Sequence, residues 1–119
     1  MTRSIRAISA LFGIAALLAA CSPAATAAPA APAAAAVNID IQGFRFPANT
    51  DVAKGTKVTW TNKDSTGHTV SSGTPPNKDG KFDGQVAAGG TFSFTFTDTG
   101  TFTYFCSIHT TMTGTVTVR

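Results

Sequence analysis

Three side chains with metal-binding chemistry lie within seven residues near the end of the chain. They are Cys106, His109 and Met112, at the spacing Cys-x-x-His-x-x-Met. The whole chain has only two histidines, two cysteines and two methionines, one of which is the initiator. A thiol, an imidazole and a thioether placed together in so poor a background indicate a metal site. The second histidine, His68, would complete it.

The donor set, two imidazoles, a thiolate and a thioether, is soft and mixed. Two histidines and one cysteine with a long axial methionine form the ligand set of blue-copper electron-transfer sites. Zinc fits less well, because structural zinc sites are closed by cysteine and histidine, and methionine adds little to them. A ligand set intermediate between the preferences of Cu(I) and Cu(II) lets the metal change oxidation state with little rearrangement. The sequence therefore predicts one copper ion per chain, held by His68, Cys106, His109 and Met112.

The elements that must position these ligands are short strands. Residues 37–119 are rich in Thr, Val, Phe and Gly, and apolar and polar side chains alternate along short segments. This alternation is typical of half-buried strands, and no segment of this part has a helical period of useful length. About seven strands with regular turns predict an all-β fold, a two-sheet antiparallel Greek-key β-sandwich. The segments are 37–41, 44–47, 56–62, 68–72, 91–97, 101–106 and 113–118.

The inward-facing positions of these strands predict the core. It comprises the apolar residues Val58, Trp60, Phe92, Phe94, Phe96, Phe102, Val116 and Val118. Residues 73–81, with Pro75-Pro76 and no periodicity, are predicted to form a long surface loop, and residues 98–100 a tight hairpin. Cys106 then lies at the end of the sandwich opposite that hairpin. Whether His68 lies at the same end as Cys106 is not determined by the sequence.

The first 36 residues differ in composition from the rest and predict export. Residues 1–20 have the pattern of a signal peptide, with two arginines before a fourteen-residue apolar run too short to span a bilayer. The run ends in Leu-Ala-Ala-Cys, which resembles the lipobox of bacterial lipoproteins. That resemblance implies a diacylglyceryl group on Cys21, and two acyl chains suffice for stable membrane anchoring. The competing interpretation is ordinary secretion, with cleavage at Ala25-Thr26-Ala27 and loss of Cys21.

Residues 22–36 are almost entirely Ala and Pro and are predicted to be a tether between a lipidated Cys21 and the domain at 37–119. We therefore expect an exported protein, lipid-anchored to a membrane and facing the periplasm or the extracellular space. An exported chain with two cysteines could also form a Cys21–Cys106 disulfide. The lipobox context argues against that pairing.

Charge identifies no partner. The formal charge is +3, but Arg3 and Arg6 belong to the predicted signal peptide, and the seven basic residues that remain face six acidic ones, all Asp. That balance provides no basic stripe, so we expect no nucleic-acid binding. We also expect the protein to be a monomer.

The sequence resembles the cupredoxins of the plastocyanin/amicyanin group over nearly all of residues 37–119. The resemblance is carried by residues 56–62 (TKVTWTN), 67–70 (GHTV), 101–109 (TFTYFCSIH) and 113–118 (TGTVTV). It implies that His68, Cys106 and His109 are equatorial copper ligands and that Met112 is the axial one. It also implies that electrons pass through the exposed edge of His109, ringed by apolar residues, so that protein redox partners dock there.

Three positions depart from that family pattern. The family often has Asn after the first histidine, where it ties the ligand loops together, and this chain has Thr69. The ligand loop has Ile108 and Thr110 where the family has proline, which predicts a less rigid loop. Gly67 precedes the first histidine where plastocyanin and amicyanin have proline. A glycine there resembles azurin, in which its carbonyl approaches copper.

The predicted function is a mononuclear copper electron carrier of the cell envelope, and no enzyme. The alternative is an envelope copper-binding carrier or buffer that delivers the metal without redox turnover. A metal-free adhesive or scaffolding sandwich is a third hypothesis. A catalytic copper oxidase would need further histidine clusters, and the two histidines of this chain are both used in the predicted site.

Overall fold

The computed structural model describes residues 34–119 and the single residue Thr26. Its regular secondary structure consists of eight strands: β1 (Ala36–Ile41), β2 (Thr50–Val52), β3 (Lys57–Asn62), β4 (His68–Thr74), β5 (Asn77–Val86), β6 (Thr91–Thr95), β7 (Gly100–Phe105) and β8 (Thr113–Val118). In these described residues no helix has the length and apolarity that a membrane crossing requires. The predicted signal peptide, Cys21 and nearly all of the predicted tether lie outside the described residues.

The strands form two sheets, as predicted. One has the order β1-β3-β6 and the other the order β2-β8-β7-β4-β5. The sheets are mixed, however, because β1 pairs with β3 and β2 pairs with β8 in parallel. The first three strands alternate between the sheets, so β1 and β3 run in the same direction within one of them. The all-β sandwich is confirmed, with two parallel pairs among its otherwise antiparallel ladders.

The core lies between the sheets around Trp60, which is fully buried. The rings of Phe82, Phe92, Phe96 and Tyr104 surround its indole at centroid distances of 5.4–6.4 Å. Of the predicted core, Val58, Trp60, Phe96, Val116 and Val118 are buried, whereas Phe92, Phe94 and Phe102 are partly exposed and pack against its margin. Each fully buried large apolar side chain contributes on the order of 1.5–3 kcal/mol before the loss of conformational entropy.

Residues 73–81 do not form the predicted surface loop. Thr74 pairs with Asn77, so Pro75-Pro76 is the two-residue turn of a hairpin between β4 and β5. Residues 76–81 are exposed, and the distal half of this hairpin therefore lacks the alternation of apolar and polar residues by which strands are predicted.

Two further local predictions are wrong. Residues 98–100 connect β6 in one sheet to β7 in the other and are a crossover between the sheets, not a hairpin. Residues 44–47 do not form a strand whose aromatic side chains share a face. Phe44 has φ = 56° and is 49 % exposed, whereas Phe46 is buried in the core. A positive φ reverses the direction of the chain and turns the two rings apart.

The strand ends decide which residues meet. Phe105, at the end of β7, lies opposite Thr113 at the start of β8 and opposite Ser71 in β4. Cys106 therefore leaves the sheet next to the first residues of β4, which begins at His68. The question that the sequence left open is resolved, since both residues lie at one end of the sandwich.

Candidate metal centre

The loop between β7 and β8 carries three of the four predicted ligands. Its ends are joined by the backbone N–H of Cys106, which donates to the Met112 carbonyl at 3.0 Å. The Met112 N–H donates in turn to the His109 carbonyl at 2.9 Å. These hydrogen bonds close the loop tightly although it lacks the prolines expected from the family pattern. His68, the remaining ligand candidate, comes from the first position of β4.

The three nitrogen and sulfur donors are close together. Cys106 Sγ lies 3.9 Å from His68 Nδ1 and 3.8 Å from His109 Nδ1, and all three ligand atoms lie within 4.8 Å of one another. Cys106, His68 and Met112 are buried, whereas His109 is partly exposed. The structure thus brings together the three residues expected as equatorial ligands and buries the expected axial one in the same loop.

The surroundings of Cys106 favour the thiolate, which is the form that binds metals. Burial raises the pKa of the thiol, but hydrogen bonds from the backbone of Thr69, His109 and Ile108 outweigh that effect, and the pKa is about 6. The Thr69 N–H lies 3.4 Å from the sulfur. Because a thiolate forms near neutral pH, little free energy is needed to remove its proton when a metal binds.

Thr69 performs the connecting role expected of asparagine in related proteins. Its Oγ1 accepts a hydrogen bond from the Ser107 N–H at 2.7 Å and lies 3.0 Å from Ser107 Oγ. Since Thr69 follows His68 and Ser107 follows Cys106, this side chain joins the two segments that carry the ligands. The same hydroxyl lies 3.2 Å from Ser71 Oγ, which continues the network into β4.

Asn62 fixes the loop that leads into His68. Its buried Nδ2 donates to the carbonyls of Thr66, Val86 and Ala87 at 2.7, 3.0 and 3.2 Å. Its Oδ1 accepts the N–H of Asp64 at 2.9 Å. One amide side chain therefore holds residues 63–67 against the end of β5, and this sets the point at which β4 begins.

Two residues that the sequence analysis did not single out contact the ligand histidines. The Asp64 carboxylate lies 3.0 Å from His68 Nε2, and the Phe44 ring packs edge-on against both His68 and His109. A carboxylate four residues before a ligand histidine, within a short loop, was a signal that could have identified Asp64. No such signal identified Phe44. Its φ of 56° is unusual for a bulky residue and costs on the order of 1–3 kcal/mol, so the sequence does not predict this backbone conformation.

The electrostatics of Asp64 follow from its hydrogen bonds. The N–H groups of Phe44 and Gly43 and the imidazole of His68 together hold the pKa of this carboxyl below its usual value. Asp64 is thus ionised near neutral pH and faces the side of His68 that points away from the sulfur. A copper ion fits this donor set, which offers one cysteine sulfur and two imidazole nitrogens within 4.8 Å of one another. The approach of the Gly67 carbonyl to the metal stays a prediction.

The metal centre and the fold have counterparts in known proteins. A search of curated proteins gives no match. A solved structure described as a novel purple cupredoxin from Nitrosopumilus maritimus is 31 % identical over 70 % of this chain and 99 % of that chain, with a TM-score of 0.64. The reduced Cu(I) form at pH 4 of an amicyanin mutant is 30 % identical, over 71 % of this chain and 82 % of that one, with a TM-score of 0.63.

The oxidised state of another amicyanin mutant is 29 % identical over the same shares of the two chains, also with a TM-score of 0.63. A family model described as copper binding proteins of the plastocyanin/azurin family matches residues 33–119. That range contains every strand of the sandwich and all four predicted ligands. Copper is accordingly the cofactor of this chain, which belongs to the plastocyanin/azurin family of copper-binding proteins, the cupredoxins.

Proposed function

We propose that the protein is a mononuclear copper electron carrier of the cell envelope. His68, Cys106 and His109 would be the equatorial ligands and Met112 the axial one. The observation that carries the proposal is the triangle of Cys106 Sγ and the two Nδ1 atoms, which lie within 4.8 Å of one another. Copper held in this set would supply one-electron redox chemistry.

The protein's contribution is to keep the donors in place. Hydrogen bonds through Thr69 and Asn62 fix the two ligand-bearing segments, and burial excludes water from Cys106. Ligand atoms that are held by the surrounding structure would move little when the copper ion gains or loses one electron. This favours fast electron exchange. We therefore propose a carrier and no catalytic activity.

The route for electrons would be the exposed edge of His109. Within the described residues, the large hydrophobic side chains that are exposed are Phe44 (49 %) and Ile108 (60 %). Both adjoin His109, one by ring contact at 5.1 Å between centroids and the other by sequence. An apolar rim around a ligand edge suits brief docking of a redox partner protein, because it buries surface without requiring fixed polar pairs. The carrier would act as a monomer at this face.

The chain direction is compatible with anchoring at the N-terminus. β1 begins at Ala36, opposite Lys57, and ends at Ile41, opposite Asn62 beside the metal centre. Residues before Ala36 thus join the domain at the end remote from the metal. A tether formed by residues 22–36 would span up to roughly 45 Å in polyproline form. With Cys21 lipidated, this arrangement would direct His109 away from the membrane, toward partners in the periplasm or outside the cell.

The visible and electron paramagnetic resonance spectra of the copper-loaded protein, with Cys106→Ser beside it, test the proposed site. We expect an intense blue band in the unchanged protein and its loss in the variant. A wild-type protein that stays colourless with Cu(II) would refute the site. Electron exchange with a small redox carrier, compared with transfer of copper to a chelator, then separates the electron carrier from the alternative, a copper carrier or buffer.

A further inference from the structure

Asp64 joins three parts of the metal end of the sandwich through one carboxylate. Its Oδ1 accepts the N–H of Gly43 at 2.7 Å, and its Oδ2 accepts the N–H of Phe44 at 2.9 Å. Oδ2 also lies 3.0 Å from Nε2 of His68. The side chain of Asp64 is only 12 % exposed, and that of His68 is fully buried. The carboxylate therefore contacts all three groups and is largely shielded from solvent.

The contact with Asp64 determines where His68 carries its proton. An ionised carboxylate can only accept hydrogen bonds, so the Nε2 atom that contacts Asp64 must carry a proton. With a single proton on the ring, the lone pair is on Nδ1, which lies 3.9 Å from Cys106 Sγ. A carboxylate on the far nitrogen of a ligand histidine fixes both its tautomer and its ring orientation.

The hydrogen bonds from the Gly43 and Phe44 N–H groups to Asp64 determine where the Phe44 ring lies. Gly43 and Phe44 have φ values of 64° and 56°, and their adjacent N–H groups both donate to the Asp64 carboxylate. The Phe44 ring then meets His68 at 5.2 Å and 90° and His109 at 5.1 Å and 85°. A bulky side chain rarely adopts a positive φ, so this placement requires an interaction that holds the backbone. Asp64 supplies that interaction.

We propose that Asp64 is a positioning residue that couples the orientation of His68 to the seating of Phe44 as an aromatic cover over both ligand histidines. One carboxylate would thus set the donor nitrogen of His68 and shape the apolar rim beside His109. The part that the cover plays in docking rests on the proposed function. The coupling itself does not, because it can be measured in the metal-free protein.

Nuclear magnetic resonance of the metal-free protein tests the coupling with three variants. Long-range nitrogen–proton spectra report the tautomer of His68, and ring-current shifts of the histidine CH protons report the Phe44 ring. Asp64→Asn should lose the pure Nε2–H tautomer and reduce the ring-current shifts. Phe44→Asn, which suits a positive φ, should abolish those shifts and keep the tautomer. Asp40→Asn removes an exposed carboxylate from β1 and should change neither.

Two results would overturn the proposal. One is an Asp64→Asn protein with an unchanged tautomer and unchanged ring-current shifts, in which case Asp64 only caps its loop. The other result comes from the wild-type protein and therefore applies even if Asp64→Asn does not fold. It is the finding that His68 carries its proton on Nδ1, or that the chemical shifts of the histidine CH protons equal those in Phe44→Asn.

The copper-loaded protein gives a second, independent measurement. A carboxylate that accepts the Nε2–H makes the imidazole a stronger donor and favours Cu(II), so Asp64→Asn should raise the reduction potential more than Asp40→Asn does. If Asp64→Asn lowers the affinity for Cu(II) tenfold more than the affinity for Cu(I), the reduction potential rises by about 59 mV. Equal potentials in the two variants would contradict a positioning role. If the protein were not an electron carrier, the nuclear magnetic resonance results would stand unchanged.

Discussion

Thr69 Oγ1 accepts the backbone N–H of Ser107 at 2.7 Å, and this hydrogen bond joins the two chain segments that carry the proposed metal ligands. The two partners are 38 residues apart in sequence. His68 and Cys106 are the residues immediately before them. The Thr69 hydroxyl therefore adds to the pairing of β4 with β7 in fixing the position of one donor relative to the other, and Thr69 is only 5 % exposed.

Replacing Thr69 by valine should destabilise the metal-free protein by about 1–3 kcal/mol, since the shape is kept and the Ser107 N–H loses its acceptor. Thr69→Ser retains the hydroxyl and should stay near the wild type. The measurement is the free energy of unfolding in urea for the three proteins. A Thr69→Val protein as stable as Thr69→Ser would show that the Ser107 N–H finds another partner.

Asn62→Asp should destabilise the protein more than Asn62→Ala. Alanine removes the amide that donates to the carbonyls of Thr66, Val86 and Ala87, at a cost of about 1–3 kcal/mol. Aspartate adds a buried negative charge directed at the same oxygens. Denaturant unfolding at neutral pH should give the order wild type, Ala, Asp. The gap between the two variants should narrow in acid, where the new carboxyl becomes protonated, and a gap that does not depend on pH would contradict this explanation.

The sandwich and the cluster of His68, Cys106 and His109 could be predicted because they depend on patterns that the sequence displays directly. Alternation along residues 56–62 and 113–118 gave strands, and the rarity of His, Cys and Met gave the site. What failed depends on tertiary context. The β4–β5 hairpin projects from the core and so lacks alternation, and the parallel pairing of β1 with β3 follows from the order in which the chain visits the two sheets. Phe44 was misplaced because its backbone is held by Asp64, twenty residues away.

Gly84→Ala should destabilise the sandwich by about 1–3 kcal/mol through overpacking. A Cβ at Gly84 would lie 2.2 Å from Phe92 Cδ2 and 2.7 Å from its Cγ, so the base of the ring would have to move. The same substitution at Gly67 is the matched control, because its Cβ would meet only the Val86 carbonyl at 4.0 Å. Thermal unfolding of the metal-free variants distinguishes them. Equal losses of stability in Gly84→Ala and Gly67→Ala would mean that the Phe92 ring moves aside at little cost in free energy.

Titration of Cys106 should make the stability of the metal-free protein depend on pH. Its pKa is about 6 in the folded protein, against 9.0 for an unperturbed thiol. Between these values the unfolded chain binds more protons than the folded one, so the free energy of unfolding should rise with pH, by up to about 1.4 kcal/mol per pH unit. This stabilisation is complete above pH 9 and is lost as the pH falls through 6.

Cys106→Ser isolates that contribution, because serine does not titrate in this range and every other ionisable group is shared. Denaturant unfolding of both metal-free proteins under reducing conditions from pH 6 to pH 9 should give curves that diverge as the pH rises, with the wild type gaining. Parallel curves would mean that the thiol keeps its proton in the folded protein. The hydrogen bond from the Thr69 N–H would then not stabilise a thiolate, and the metal would have to displace a proton from Cys106 when it binds at neutral pH.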